Sequence, residues 1–167
     1  MIRHASKRVS LLIGVLFVGC FSAPSSWGAE GEGHSGHGHL GLFVGVGEGD
    51  SGSSTNSAKA AGLVYEYKFG NGWDLGGAVE GLDVHGHSST IGVVEAGYTL
   101  ANGFRLFGGP GFELKSNPAH DKWLMRAGVN YEFHINDKWT LAPEVYFDAI
   151  ENGASVWMVG FVLGYGL

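Results

Sequence analysis

Cysteine is almost missing from this chain: Cys20 stands alone, so no disulfide can form within it, and a small disulfide-stapled secreted fold is excluded. Charge is also scarce, at 16% of residues, and leans one way, with 16 acidic against 10 basic side chains. Phosphate contacts need a basic surface, so nucleic acid is not expected as a partner. The apolar run Leu11 to Val18 falls short of the roughly 20 residues a helix needs to cross a bilayer. Neither Gly-x-Ser-x-Gly nor His-Glu-x-x-His occurs, and the sequence reads as a non-enzyme.

What is present is glycine, 30 residues of it, together with 13% aromatics and 44% hydrophobic residues. That apolar content is too high for a disordered chain, and 167 residues suit about one domain. Glycines fall inside alternating runs as well as between them, which in a barrel marks bends and crowded places in the lumen.

Three segments repeat one pattern: Gly70-Asn71-Gly72-Trp73, Ala101-Asn102-Gly103-Phe104 and Asn136-Asp137-Lys138-Trp139. Each is a tight turn between strand-like runs and leads into an aromatic, the signature of a repeated β-hairpin. Alternation is clearest from Trp123 to Phe133, where Trp123, Met125, Ala127, Val129, Tyr131 and Phe133 oppose Leu124, Arg126, Gly128, Asn130 and Glu132. The runs Trp139 to Ala149 and Phe104 to Leu114 behave alike, at about eleven residues each, enough for a tilted strand to cross a bilayer. Noisier runs lie at Leu40–Val46, Leu63–Phe69, Trp73–Leu82, Thr90–Leu100 and Ser155–Leu167. The count is eight, predicting an all-β, eight-stranded antiparallel up-and-down transmembrane β-barrel. Short connections at 70–72, 101–103 and 135–138 belong to the periplasmic end; longer polar ones are expected at Gly47–Ala58, Asp83–Ser89 and Lys115–Lys122, with a brief one at Ile150–Ala154.

Residues 1–28 read as a signal peptide, with Arg3, Lys7 and Arg8 ahead of the apolar run and small residues after it. Its removal takes the formal net charge from −6 to −9 by loss of those three basic residues. Residues 29–39 form a His/Gly-rich leader, and 40–167 the barrel. Phe17-Val18-Gly19-Cys20 resembles the lipobox of bacterial lipoproteins, although Phe17 departs from its usual Leu.

The charged residues fall on the inner face: Glu66, Lys68, Glu80, Glu95, Arg105, Glu113, Arg126, Glu132, Glu144 and Asp148. They form a candidate lumenal ion-pair network that fills an interior just wide enough for side chains. A soluble β-sandwich or lipocalin-like barrel alternates in the same way. In that fold these carboxylates would lie in a dry core, at high cost. His34, His37 and His39 form a second candidate, a run able to hold Zn, Cu or Ni through imidazole nitrogens.

The signal segment, the eight runs and the glycine-rich aromatic end resemble the small outer-membrane β-barrel proteins of Gram-negative bacteria. The stretches Gly108–Glu113 and Pro143–Asp148 also resemble porin-like bacterial proteins. The resemblance implies an outer-membrane location, with outer-membrane lipid and the barrel assembly machinery as partners. It also implies an assembly signal in the last strand, which Gly160, Leu163 and Tyr165 fit and Leu167, standing where Phe or Trp is usual, does not. A structural or surface-interaction role follows. The alternatives are a narrow porin-like channel, a metal-binding protein, or a lipid-modifying enzyme using Ser88, Ser89 or Thr90 with His85 or His87.

Overall fold

The computed structural model describes residues 37–50, 55–84, 86–115 and 121–167; the segment expected to be a signal peptide (1–28) and most of the expected leader lie outside them. Nine strand segments follow in order: β1 (His37–Asp50), β2 (Thr55–Lys68), β3 (Trp73–Val84), β4 (His87–Thr99), β5 (Phe104–Leu114), β6 (Lys122–Tyr131), β7 (Phe133–His134), β8 (Trp139–Ile150) and β9 (Ala154–Gly166). Each pairs antiparallel with its chain neighbours, except that β6 and β7 both pair with β8 and so make one stave. Strand β9 returns to β1 over a ladder from His39↔Gly166 to Asp50↔Ser155, closing an eight-stave barrel with no free edge.

The repeated turns share one hydrogen-bond scheme. Asn71 Oδ1 accepts from the Trp73 N–H at 3.2 Å, and Asn102 Oδ1 from the Phe104 N–H at 3.4 Å. Asn136 Oδ1 accepts from the N–H groups of Lys138 and Trp139, both at 2.9 Å. An asparagine side chain bonding the backbone two residues on is the Asx turn, which explains why Asn recurs there. Gly72 and Gly103, both at φ +86°, complete two of these turns in a conformation that suits glycine. Asn136→Ala is expected to cost about 0.5–1.5 kcal/mol, and more than Asn102→Ala, in urea unfolding of the refolded barrel. An equal or reversed order would show that the turn is held by its backbone alone.

The outer connections depart from expectation. The stretch Gly47–Ala58 is mostly ladder, paired from Gly47↔Ala58 to Asp50↔Thr55, and β3 and β4 pair up to Val84↔His87. Ser88, Ser89 and Thr90 therefore sit on β4. Glycine, serine and threonine read as loop by composition, yet ladder bonds are made by backbone and tolerate them wherever the neighbouring strand continues. The same holds at the other end, where His37, Gly38 and His39 pair with Lys68, Tyr67 and Glu66 and belong to β1 rather than to a leader.

Two prolines sit in the wall. Between β4 and β5 pairing stops where Val94 and Glu95 face Gly109 and Pro110. Between the β6–β7 stave and β8 it stops at Ala142 and Pro143. Proline has no N–H to give, so a barrel without edges carries it at a local gap.

Outward side chains form an apolar belt that includes Leu42, Val44, Leu63, Val79, Val94, Leu106, Met125 and Phe161. Aromatic pairs ring its short-turn side: Trp73–Tyr98, Phe104–Tyr131 and Trp139–Tyr165, with ring centroids 5.0 Å apart in each. Phe147 and Trp157 meet toward the other side, with centroids 4.7 Å apart and planes tilted by 45°. Such a belt between two aromatic girdles is the exterior of a membrane barrel.

Candidate functional site: the filled lumen

The inward faces carry the charge. Arg105 on β5 donates from Nε and Nη2 to the two Asp74 oxygens of β3, at 2.9 and 2.6 Å, and its Nη1 lies 2.9 Å from Glu66 Oε1. Arg126 on β6 makes two such forks. Its Nε and Nη2 donate to Asp148 at 2.8 and 2.9 Å, and its Nη1 and Nη2 to Glu80 at 2.5 and 3.0 Å. A planar guanidinium matches a carboxylate in this bidentate way, whereas an ammonium meets it as a point charge.

The Arg126 cluster is deeply buried. Glu80 is 1% exposed, Arg126 2% and Asp148 0%. The Tyr146 hydroxyl donates to Glu80 Oε2 at 2.7 Å while its ring lies 3.8 Å beneath the guanidinium carbon. Glu95 Oε1 stands 3.6 Å from Arg126 Nη1, beyond hydrogen-bond range, and has no hydrogen-bond partner among the described residues. Phe43 packs on Tyr146 with centroids 5.6 Å apart. Toward the outer end Leu82, Ile91, Leu124, Ile150, Val156 and Met158 continue the buried cluster as an apolar plug.

Toward the short-turn end the lumen loosens. Asn130 Nδ2 donates to Glu144 Oε2 at 3.0 Å, and Lys68 pairs with Glu132. A cavity of about 30 Å³ lies among His39, Glu66, Arg105, Asn130, Glu132 and Thr140. At the opposite end Lys115 Nζ meets Glu113 at 3.4 Å.

The ten lumenal residues singled out in the sequence thus fall into three ion-pair groups, around Arg105, Arg126 and Lys68, with Glu144 bound to Asn130 and Glu113 to Lys115. Asp74 is the partner that sequence reasoning missed. Its signal was available, since Asp74 lies between outward Trp73 and Leu75 and must face in. Gly97 shows how closely that pair is housed: a Cβ there would lie 2.5 Å from Asp74 Oδ1 and 2.6 Å from Arg105 Nε. Of the histidine run, His37 and His39 are on β1 and His34 lies outside the described residues, as do His85 and His120. His87 opens β4 at the far end of the barrel.

No family model matches the sequence, and no curated protein matches it. Among solved structures the chain is similar to Ail, the attachment invasion locus protein of Yersinia pestis, solved in complex with the heparin analogue sucrose octasulfate. The match has 14% identity and a TM-score of 0.55, over 80% of this chain and 100% of that one. It is also similar to a transmembrane β-barrel designed de novo, at 18% identity and a TM-score of 0.51, over 77% of this chain and 95% of the other. With its apolar belt, aromatic girdles and charged interior, the chain has the fold of the small eight-stranded β-barrels that sit in the bacterial outer membrane.

Proposed function

We propose that this protein is a closed, non-conducting barrel, a rigid outer-membrane scaffold that acts through the residues it presents beyond the lipid. The observation that carries this reading is the Arg126 cluster, which spans the lumen from β3 to β8 with every member buried. Eight staves leave room for side chains and little else, and here the apolar plug occupies the outer half as well. An ion crossing the barrel would have to break charge-assisted bonds in a desolvated site. The ends of β1 and β2, with Glu48, Asp50, Thr55, Ser57 and Lys59, extend the wall past the apolar belt and offer a firm polar surface.

Ail was solved with a polyanion analogue. The outer end of this barrel carries Asp50, Asp83, Asp121 and Glu151 beside Lys115 and Lys122, and that mixed charge favours a partner other than a polyanion.

Planar-bilayer recording of the refolded mature chain tests the closed state. No resolved conductance steps are expected from the natural sequence. Arg126→Ala combined with Tyr146→Ala should open intermittent steps by removing the cross-lumen tie and its supporting ring. Steady conductance from the natural sequence would replace the scaffold reading with a narrow channel.

A further inference from the structure

The periplasmic rim holds a cluster that the deeper ion pairs do not use. His37 and His39 are two residues apart on β1, so their side chains project to the same face. Their ring centroids lie 4.8 Å apart with planes tilted by 50°. The fold brings further groups near: besides His37 and Lys68, His39 feels the charges of Glu132 and His134, from almost a hundred residues away in the chain. His134 follows outward-facing Phe133 in the alternation of the β6–β7 stave, and its side chain is exposed. His39 and Glu132 also border the 30 Å³ cavity, space for about two waters at roughly 10–15 Å³ each.

We infer that this rim is a binding site for one divalent transition-metal ion of the zinc, copper and nickel class, with His37 and His39 as the chelating pair and His134 as third donor. Imidazole nitrogen suits these metals, and a strand that places two histidines on one face fixes half of a tetrahedral set in advance. Among the described residues no three donors already converge on one point, so His134 rotates inward to complete the set as the ion arrives. Waters in the adjoining cavity take the remaining position. Glu132, tied to Lys68, supplies a nearby counter-charge and does not ligate. The pair His37/His39 was visible in the sequence as part of a flexible run; the contribution of His134 comes only from the fold.

The test is titration of the refolded mature chain in detergent micelles, with Zn²⁺ followed by calorimetry and Cu²⁺ by electron paramagnetic resonance. One equivalent should bind, with nitrogen couplings in the copper spectrum. His37→Ala and His39→Ala should each weaken binding at least about tenfold, and His134→Ala about three- to tenfold. His87→Ala, at the other end of the barrel, should leave it unchanged, and His34→Ala should matter less than His134→Ala. Retained heat-modifiable gel mobility identifies variants that still fold. The urea-unfolded chain should bind at least about tenfold more weakly, because folding is what assembles the donors. Equal affinity of folded and unfolded chains, or a folded His134→Ala variant indistinguishable from the natural sequence, would overturn the site, as would the absence of binding.

Discussion

Arg126→Ala is expected to lower the unfolding free energy of the barrel by about 3–5 kcal/mol, the range found when one partner of a buried charge pair is removed. The loss comes less from the missing bonds than from what remains, since Glu80 and Asp148 would be left desolvated without the cation that bonds them both. Arg126→Lys should recover only part of it, because one ammonium cannot reproduce two forks at once. The triple change Arg126→Met, Glu80→Gln, Asp148→Asn removes the charges together and should be far milder than the single alanine. Urea titration of the refolded chain in lipid vesicles, followed by tryptophan fluorescence, reads all three. A loss below about 0.5 kcal/mol for Arg126→Ala, the size of an ordinary surface change, would mean that water reaches the cluster and that the lumen is wetter than described.

The second large effect lies on the opposite face of the wall. Val44 is half exposed midway along β1, between Ala61 of β2 and Phe161 of β9. Val44→Arg should cost about 2–4 kcal/mol in lipid vesicles, the penalty for a cation at the bilayer midplane, whereas Ser57→Arg, beyond the belt, should cost about 0–1 kcal/mol. Both positions face outward, so only the surrounding solvent separates them. If the two changes cost the same, the belt does not face lipid and the membrane reading fails.

How much of this was legible beforehand depended on which force sets each feature. The staves with strict alternation, from Phe104, Trp123 and Trp139 onward, could be read directly, because lipid outside and charge inside impose opposite chemistry on adjacent residues. The three Asn-bearing turns were legible for a similarly local reason. The outer ends were not. There both faces of the wall leave the lipid, polar residues occupy inward and outward positions alike, and the period-2 signal vanishes although the ladder between Gly47 and Ala58 continues. The candidate site was half legible. Alternation assigned Arg105 and Arg126 to the lumen, but which carboxylate each meets depends on strand stagger, a property of the closed barrel that no single run encodes. His134 escaped notice for the same reason.

Neither arginine finds an anchor within the β5–β6 hairpin. Arg105 reaches back to β2 and β3, and Arg126 to β3, β4 and β8. A nascent β5–β6 hairpin therefore carries two guanidinium groups whose partners arrive only when the earlier and later strands curl around to meet it. Until then, lipid is a poor environment for either side of those pairs. Assembly is thereby biased toward a single concerted closure, since a wall that stops part-way is left holding its charges apart.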